Sequence, residues 1–453
     1  MKQTSRKTVD LTEGVIWKQL LFFALPLLGS SLIQQLYNTV DLLFVGNLVG
    51  KNASAAVGSS GILVACVVGF FTGVSVGAGV VTAQRIGAED VAGTKKAIHT
   101  AVFLGLFGGA VLSVFGVLLA PVLLTWLHVP EEIFSDASAY LRLYFGGLFS
   151  IVTFNMCAGI IRATGNSRVP MVIQLIGGII NVAVDAVFVA GLRWGVLGAA
   201  MATLLSQTAA ALLAFAFLLR EEEPYRLHIR CIRPDRDSAK RILAIGIPAG
   251  LQSLVIEFSN VLIQYQINGF DVDAIAAFAV YFQAELPIYY PIAAFGQAAT
   301  TFSGQNTGAG NMKRVKQGAL VCIAMGIGVT VITCGLMTVF ARPIFGLFNK
   351  EEAVIAYGIQ AVRYSFPFYW IYVIHEVLAC TIRGTGKSLP PMLIILMNLC
   401  VIRSILLFWI MSFFHDIRGV AIVYPITWVL TSTVMVLYYR FGHWERLTEK
   451  IVL

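Results

Sequence analysis

Two pairs of polar residues inside long apolar runs carry most of the chemistry open to this sequence. Tyr37 and Asp41 stand four residues apart, as do Asn181 and Asp185, so each pair falls on one face of a helix. An acid near the centre of a bilayer costs roughly 2.5–3.5 kcal/mol on insertion scales, so each needs a reason to be there. Two carboxylates with amide and hydroxyl oxygens could hold Na⁺ through hard oxygen ligands, or share a proton. Asn155 and Thr203, in two further apolar runs, could close the cluster.

A second pattern suggests other chemistry. Gly386-Lys387-Ser388 is the tail of a phosphate-binding loop, but the glycine required five positions earlier is Thr381. The same skeleton, Ile-Arg-x-Thr-Gly-x-Ser-x-x-Pro-Met, occurs upstream in residues 157 to 171, where the lysine is replaced by Asn166. A phosphate site does not account for a loop that occurs twice and keeps its lysine once.

The elements that hold these residues must lie in a membrane. Hydrophobic residues make up 58% of the 453 residues and charged ones 12%, against about a quarter charged in a soluble chain. Mean hydropathy is +0.80. Apolar runs of helical length recur throughout, unlike the roughly ten-residue alternation of a membrane barrel. They predict an all-α protein with spans over 17–40, 53–84, 97–122, 137–162, 168–190, 195–219, 240–267, 273–304, 315–342, 353–382, 388–412 and 418–440. Lys and Arg concentrate on one side of that topology, including Lys2, Arg6, Lys7, Lys95, Lys96, the 220–241 group, Arg314, Arg383, Arg446 and Lys450. The other side holds Lys51, Arg193, Arg342, Lys350 and Arg418. This bias places both termini in the cytoplasm, with a basic N-terminal lead that is retained rather than cleaved. It also accounts for the net charge of +8 through membrane lipid headgroups, so no nucleic acid is needed. The seven cysteines form no metal-like C-x-x-C spacing and read as small packing residues.

The repeated loop is part of a duplication. "FALPLLGSSLIQQLYNTVD" resembles "AIGIPAGLQSLVIEFSNVLI", setting Pro26 against Pro248 and Asn38 against Asn260; "TAQRIGAEDVAGTKKAI" resembles "SGQNTGAGNMKRVKQGA", setting Gln84 against Gln305. Six spans per copy give parallel repeats, an N-lobe over 1–219 and a C-lobe over 240–453, joined by a polar linker at 220–239. Gly165 and Gly386 then end helices in a left-handed conformation, Pro170 and Pro391 open the next ones, and Arg162 and Arg383 sit near headgroups. At the repeat offset Asp41 faces Ile263 and Asp185 faces Leu406, so the scaffold is duplicated but the acids are not.

"LIQQLYNTVDLLFVGNLVGKNASAAVG", "GQNTGAGN", the paired R-x-TG-x-S-x-x-PM loops and "NVAVDAVFV" resemble the multidrug and toxic compound extrusion (MATE) transporters, especially the prokaryotic DinF-like branch. The resemblance runs from about residue 15 to 440. It implies two six-helix lobes in a V, exporting amphiphilic, often cationic compounds against an inward Na⁺ or H⁺ flow. It also implies that Tyr37, Asp41, Asn155, Asn181, Asp185 and Thr203 form a cation network in the N-lobe. Glu257, aligned with Gln35, matches a carboxylate used for coupling elsewhere in the family, so a C-lobe site stays open.

Other charges divide between structure and function. Glu376 beside His375, with Arg363 and Arg403, is expected to form internal ion pairs; Glu285 could do that or serve the site. Arg142 is expected to snorkel at the outer edge. Gln34, Gln35, Tyr281, Gln283 and Glu285 are the candidates for lining a cavity around a flat amphiphile. Pro26 removes a helix hydrogen bond and is a candidate hinge. Gly73 with Gly77, and Gly105 with Gly109, permit close helix approach. No cofactor is expected beyond the coupling ion, and the working unit is expected to be a monomer in a bacterial-type inner membrane. A flippase for a lipid-linked substrate shares this plan. An enzyme does not fit, because the six histidines are scattered, and no filter-like loop suggests a channel.

Overall fold

A chain in lipid must satisfy its own backbone, and the apolar runs of this one do so as helices. The computed structural model describes residues 10–49, 51–414 and 416–445, and among them there are helices, turns and no strand. The basic lead through Lys7, with Arg446 and Lys450, lies outside the described residues. In chain order the long helical segments are α1 Ile16–Phe44, α2 Lys51–Gly87, α3 Val91–Trp126, α4 Glu131–Gly146 with Leu148–Ala163, α5 Arg168–Gly191 and α6 Val196–Arg220. They continue with α7 Arg236–Ile267, α8 Val272–Gly308, α9 Met312–Val339, α10 Glu352–Gly384, α11 Leu389–Phe413 and α12 Ile417–Phe441.

Ten of these are long and apolar enough to cross a membrane, and α4, bent by 41° between its halves, makes eleven. The remaining expected span, α8, is a helix of 37 residues that falls short in apolarity. Gln283, Glu285, the tyrosines at 289 and 290 and two prolines dilute its run.

The chain falls into two compact units. Unit 1 holds residues 29–250; unit 2 holds 11–28 with residues from 251 onward. Packing therefore cuts α1 and α7 two residues past Pro26 and Pro248, not at the linker. Both prolines lie inside continuous helices. Unit 1 has three buried apolar clusters and unit 2 one large one.

Small residues decide the crossings in unit 1. A Cβ on Gly73 would stand 2.4 Å from the Gly250 backbone and one on Gly77 2.2 Å from the Ile242 carbonyl, so the α2 pair meets Gly246 and Gly250 on α7. Gly79 on α2 faces Gly159 on α4, where a Cβ on Gly159 would meet the Ser75 carbonyl at 2.9 Å.

The repeated loop is a helix stop. Gly165 and Gly386 have φ of +83° and +94°, the left-handed conformation that ends a helix without a Cβ clash. Arg383 is a correction: it is not at a headgroup but buried in unit 2, where its Nη2 donates to Gln252 Oε1 at 2.8 Å. The chain leading into each repeat is also held. In unit 2 Arg314 donates to the carbonyls of Leu11 and Gly14 and to Gln19 Oε1. In unit 1 Glu223 of the linker pairs with Lys95 at 2.6 Å and Asp235 with Lys96 at 3.6 Å.

Candidate functional site

Tyr37 and Asp41 on α1 and Asn181 and Asp185 on α5 all belong to unit 1. Gly178 lets the helices meet there, since a Cβ would stand 3.2 Å from the Tyr37 ring. Soon after Asp41 the backbone passes into a π turn, Val45–Val49, and directly after Asp185 into another, Ala186–Gly191. Such turns recur at functional sites because they re-aim side chains without ending the helix.

The site is built of polar atoms that the protein leaves without partners. Asp185 is 0% exposed and Asn181 1%. Both oxygens of Asp185, one of Asp41, and both polar atoms of Asn181 are buried with no hydrogen-bond partner. The two carboxyls lie close enough to feel each other's charge, and Tyr140 and Tyr144 lie near them. Among the described residues no Lys, Arg or His pairs with either acid. Buried charges are normally paired and buried polar groups bonded. Two adjacent acids that meet each other and no base fit a site that takes up a positive charge, a shared proton or a cation among their oxygens.

Tyr37 is fixed beside this pair. Its Oη accepts from Gln174 Nε2 at 3.1 Å and from Gln207 Nε2 at 3.2 Å. Sequence reasoning missed both glutamines. The signal was available, because Gln174 lies seven residues before Asn181 and Gln207 four after Thr203, each on the same helical face as a residue already singled out.

Asn155 and Thr203 are not brought to the acids by hydrogen bonds. Asn155 Nδ2 donates back to the Ile151 carbonyl at 2.9 Å, and Thr203 contributes its own carbonyl to Ser206. Glu257 lies in unit 2, half-buried on α7, and among the described residues it is in no ion pair.

The expected cavity residues divide between the units. Gln34 is exposed and Gln35 half-buried in unit 1, while Gln283 is exposed on α8 in unit 2. Tyr281 requires correction: it is 1% exposed and its Oη donates to Ser365 Oγ at 2.8 Å, so it packs in the unit 2 core. Glu285 is half-buried and accepts a hydrogen bond from Tyr369 Oη. Among the described residues the expected internal ion pairs do not form: Arg363 is exposed, and Arg403 and Glu376 make no direct ion pair. Arg142, expected at the outer edge, is exposed. Glu376 Oε1 instead accepts from Cys380 Sγ at 3.4 Å. An apolar depression of about 310 Å³ in unit 2, between Thr330, Cys334, Phe366 and Trp370, touches none of the expected site residues.

Comparison with known proteins agrees with the duplicated helical fold. The MatE family model matches twice, over residues 26–187 and 248–409, so the second match is the first displaced by 222 residues. A probable multidrug resistance protein of Bacillus subtilis, YpnP, is 28% identical, aligned over 98% of this chain and 100% of its own. A probable multidrug resistance protein of Thermotoga maritima, NorM, is 27% identical over 95% of this chain and 94% of its own. Among solved structures, an outward-facing multidrug resistance MATE family transporter of the MOP superfamily superposes with a TM-score of 0.91. It covers 99% of this chain and 100% of its own at 24% identity, a likeness of fold alone. Matched in both of its repeats, the chain belongs to the MatE family of membrane transporters.

Proposed function

We propose that this protein exports amphiphilic, cationic compounds by antiport, taking up Na⁺ or H⁺ at Asp41, Asn181 and Asp185. The observation that carries this reading is the group of five buried polar atoms on those three residues: among the described residues the two carboxyls face each other, and no base and no other hydrogen-bonding side chain meets these atoms. The names of the aligned relatives, multidrug resistance proteins and multidrug export proteins, support the substrate class.

The physical requirement for antiport is that cation and substrate each prefer a different conformation. A cation between the two acids relieves their repulsion and bonds the orphaned oxygens. It therefore favours whichever state brings α1 and α5 together at this point. When the cation leaves to the cytoplasm that preference is lost, and substrate can select the other state. Pro26, inside α1, supplies a place for the helix to bend between the two. We place the protein as a monomer in the cytoplasmic membrane of a bacterium, among anionic lipids, with both termini inside.

The test is efflux of ethidium from proteoliposomes under an imposed Na⁺ gradient or an imposed pH gradient, for the wild type and for Asp41→Asn. Transport driven by one gradient and lost in the variant supports the reading and identifies the ion. Transport by neither gradient favours a flippase; a fully active variant removes the acid pair from coupling and brings Glu257 forward.

A further inference from the structure

Unit 2 carries an apolar groove on a face that lipid must cover. α9 is long and apolar enough to cross the membrane, yet only 22% of its apolar stretch is buried inside the protein. Val331, Ile332, Leu336 and Val339 are exposed along it, and in a membrane that exposure is contact with acyl chains. The depression of about 310 Å³ between Thr330, Cys334, Phe366 and Trp370 opens on this face, since the exposed Val331, Val339 and Trp370 belong to its lining. From Thr330 to Val339 is nine residues, about 13 Å of helix, close to the roughly 15 Å of hydrocarbon in one leaflet. Among the described residues no charged side chain lines it. An apolar slot of that length matches one acyl chain.

The groove ends beside a pair of opposite charges. Past Val339 the helix breaks at Phe340 and restarts as a short helix, Ala341–Phe348. Ala341 and Phe345 turn into the core of unit 2, whereas Leu347 and Phe348 stay exposed, the arrangement of a helix that lies in a membrane interface. Arg342, three residues past Val339, donates from Nη2 to Glu352 Oε1 at 2.7 Å, and both side chains are 68% exposed. An ion pair so exposed contributes little by itself, so each charge can be shared with a partner from outside. A zwitterionic headgroup presents the inverse pair, a phosphate for the guanidinium and an ammonium for the carboxylate. An anionic headgroup offers only the first and is repelled by Glu352. Lys350 and Glu351, just before Glu352, cancel in net charge and leave this balance as it is.

We propose that unit 2 binds one phospholipid with a zwitterionic headgroup, an acyl chain in the groove between α9 and α10 and the headgroup on Arg342 and Glu352. The site is separate from Asp41, Asn181 and Asp185 in unit 1, and the proposal does not depend on the antiport reading. With both termini inside, as placed above, the lipid belongs to the outer leaflet. Gly335, in the wall of the groove, supplies a way to close it: a Cβ there meets nothing within 4 Å, so a larger side chain fills the groove without pushing on the protein.

The test is native mass spectrometry of the full chain, purified in detergent, stripped of lipid and titrated with phosphatidylethanolamine or with phosphatidylglycerol of the same acyl chains. The wild type should retain one phosphatidylethanolamine, bound roughly fivefold more tightly than phosphatidylglycerol, the scale of one headgroup contact. Gly335→Leu should lose that lipid at concentrations where the wild type holds it. Arg342→Gln with Glu352→Gln should abolish the preference between the two headgroups. A wild type that retains no phosphatidylethanolamine, or binds both lipids equally, overturns the proposal. So does unchanged retention in Gly335→Leu, or a preference that survives in the double variant. Should Gly335→Leu fail to fold, the double variant, whose two positions are exposed, decides alone.

Discussion

The two repeats keep one scaffold and differ in which interactions are placed on it. In unit 1 the α1–α5 contact carries two acids and Asn181 with unmet hydrogen-bonding capacity; in unit 2 the places 222 residues on are Ile263, Leu407 and a bonded Arg403. Duplication supplied the frame twice, while the pair of buried acids stands in one copy. A site that must bind and release an ion cannot be satisfied by its own protein, so its orphaned atoms separate it from a charge cluster built for stability.

The largest way to break this contrast is to remove an acid from unit 1. Asp41→Asn or Asp185→Asn should each reduce gradient-driven efflux by roughly 5- to 150-fold, the range of a coupling free energy of 1–3 kcal/mol. Glu285→Gln should change the rate much less. Equal losses in all three variants would erase the distinction between the units. Ethidium flux at matched protein density in liposomes measures all three.

A second contrast lies in the helix crossings. Gly79 and Gly159 in unit 1 correspond, at an offset of 221, to Thr300 and Cys380 in unit 2, where Thr300 Oγ1 donates to the Cys380 carbonyl at 3.2 Å. One copy is closed by the absence of side chains, the other by a hydrogen bond. Gly159→Val must push against the Ser75 carbonyl and should destabilise unit 1 by about 1–3 kcal/mol, as overpacking does. Thr300→Ala should cost only about 0.6 kcal/mol, the mean of interhelical hydrogen bonds in membranes. Thermal unfolding in detergent ranks the two, and the reverse order would refute this account of the crossings.

Much of this was legible in the sequence because lipid leaves few alternatives. Long apolar runs could only be helices, and acids within them required a purpose, so Asp41 and Asp185 were evident from type and place. The left-handed glycines of the repeated loop could likewise be read from Gly165 and Gly386 alone. Tyr281 shows where reading stops: an aromatic ring with a polar tip looks the same in sequence whether it lines a cavity or bonds Ser365 in a core. Arg403 shows a second limit. Which residue corresponds to Asn181 depends on the π turn Leu396–Ile402 in α11, a property of the backbone, and the offset of 221 between Pro170 and Pro391 is one residue short of the 222 between the two family matches.

The smallest expected effect compares the two segments that lead into the repeats. The lead to α1 is held through backbone carbonyls and a glutamine side chain, none of which titrates in acid. The linker before α7 is held through Glu223, whose carboxyl is brought from its ordinary 4.5 down to about 2 by its hydrogen bonds to Lys95 and His228. Asp235 is lowered too, first by the Ser238 backbone N–H and its hydroxyl, then by Lys96. A depressed carboxyl lends its stabilisation in full above its ordinary value and loses it as pH falls toward its folded value. The linker clasp is therefore whole above pH 4.5 and released on the way to about 2, with a modest effect because its ion pairs are exposed. Pepsin cleavage within 221–235 should accelerate over that interval while cleavage within 11–19 does not, and Lys95→Ala should move the onset to higher pH. Parallel acceleration at both segments would mean that acid loosens the whole chain, and the two leads would then not differ in how they are held.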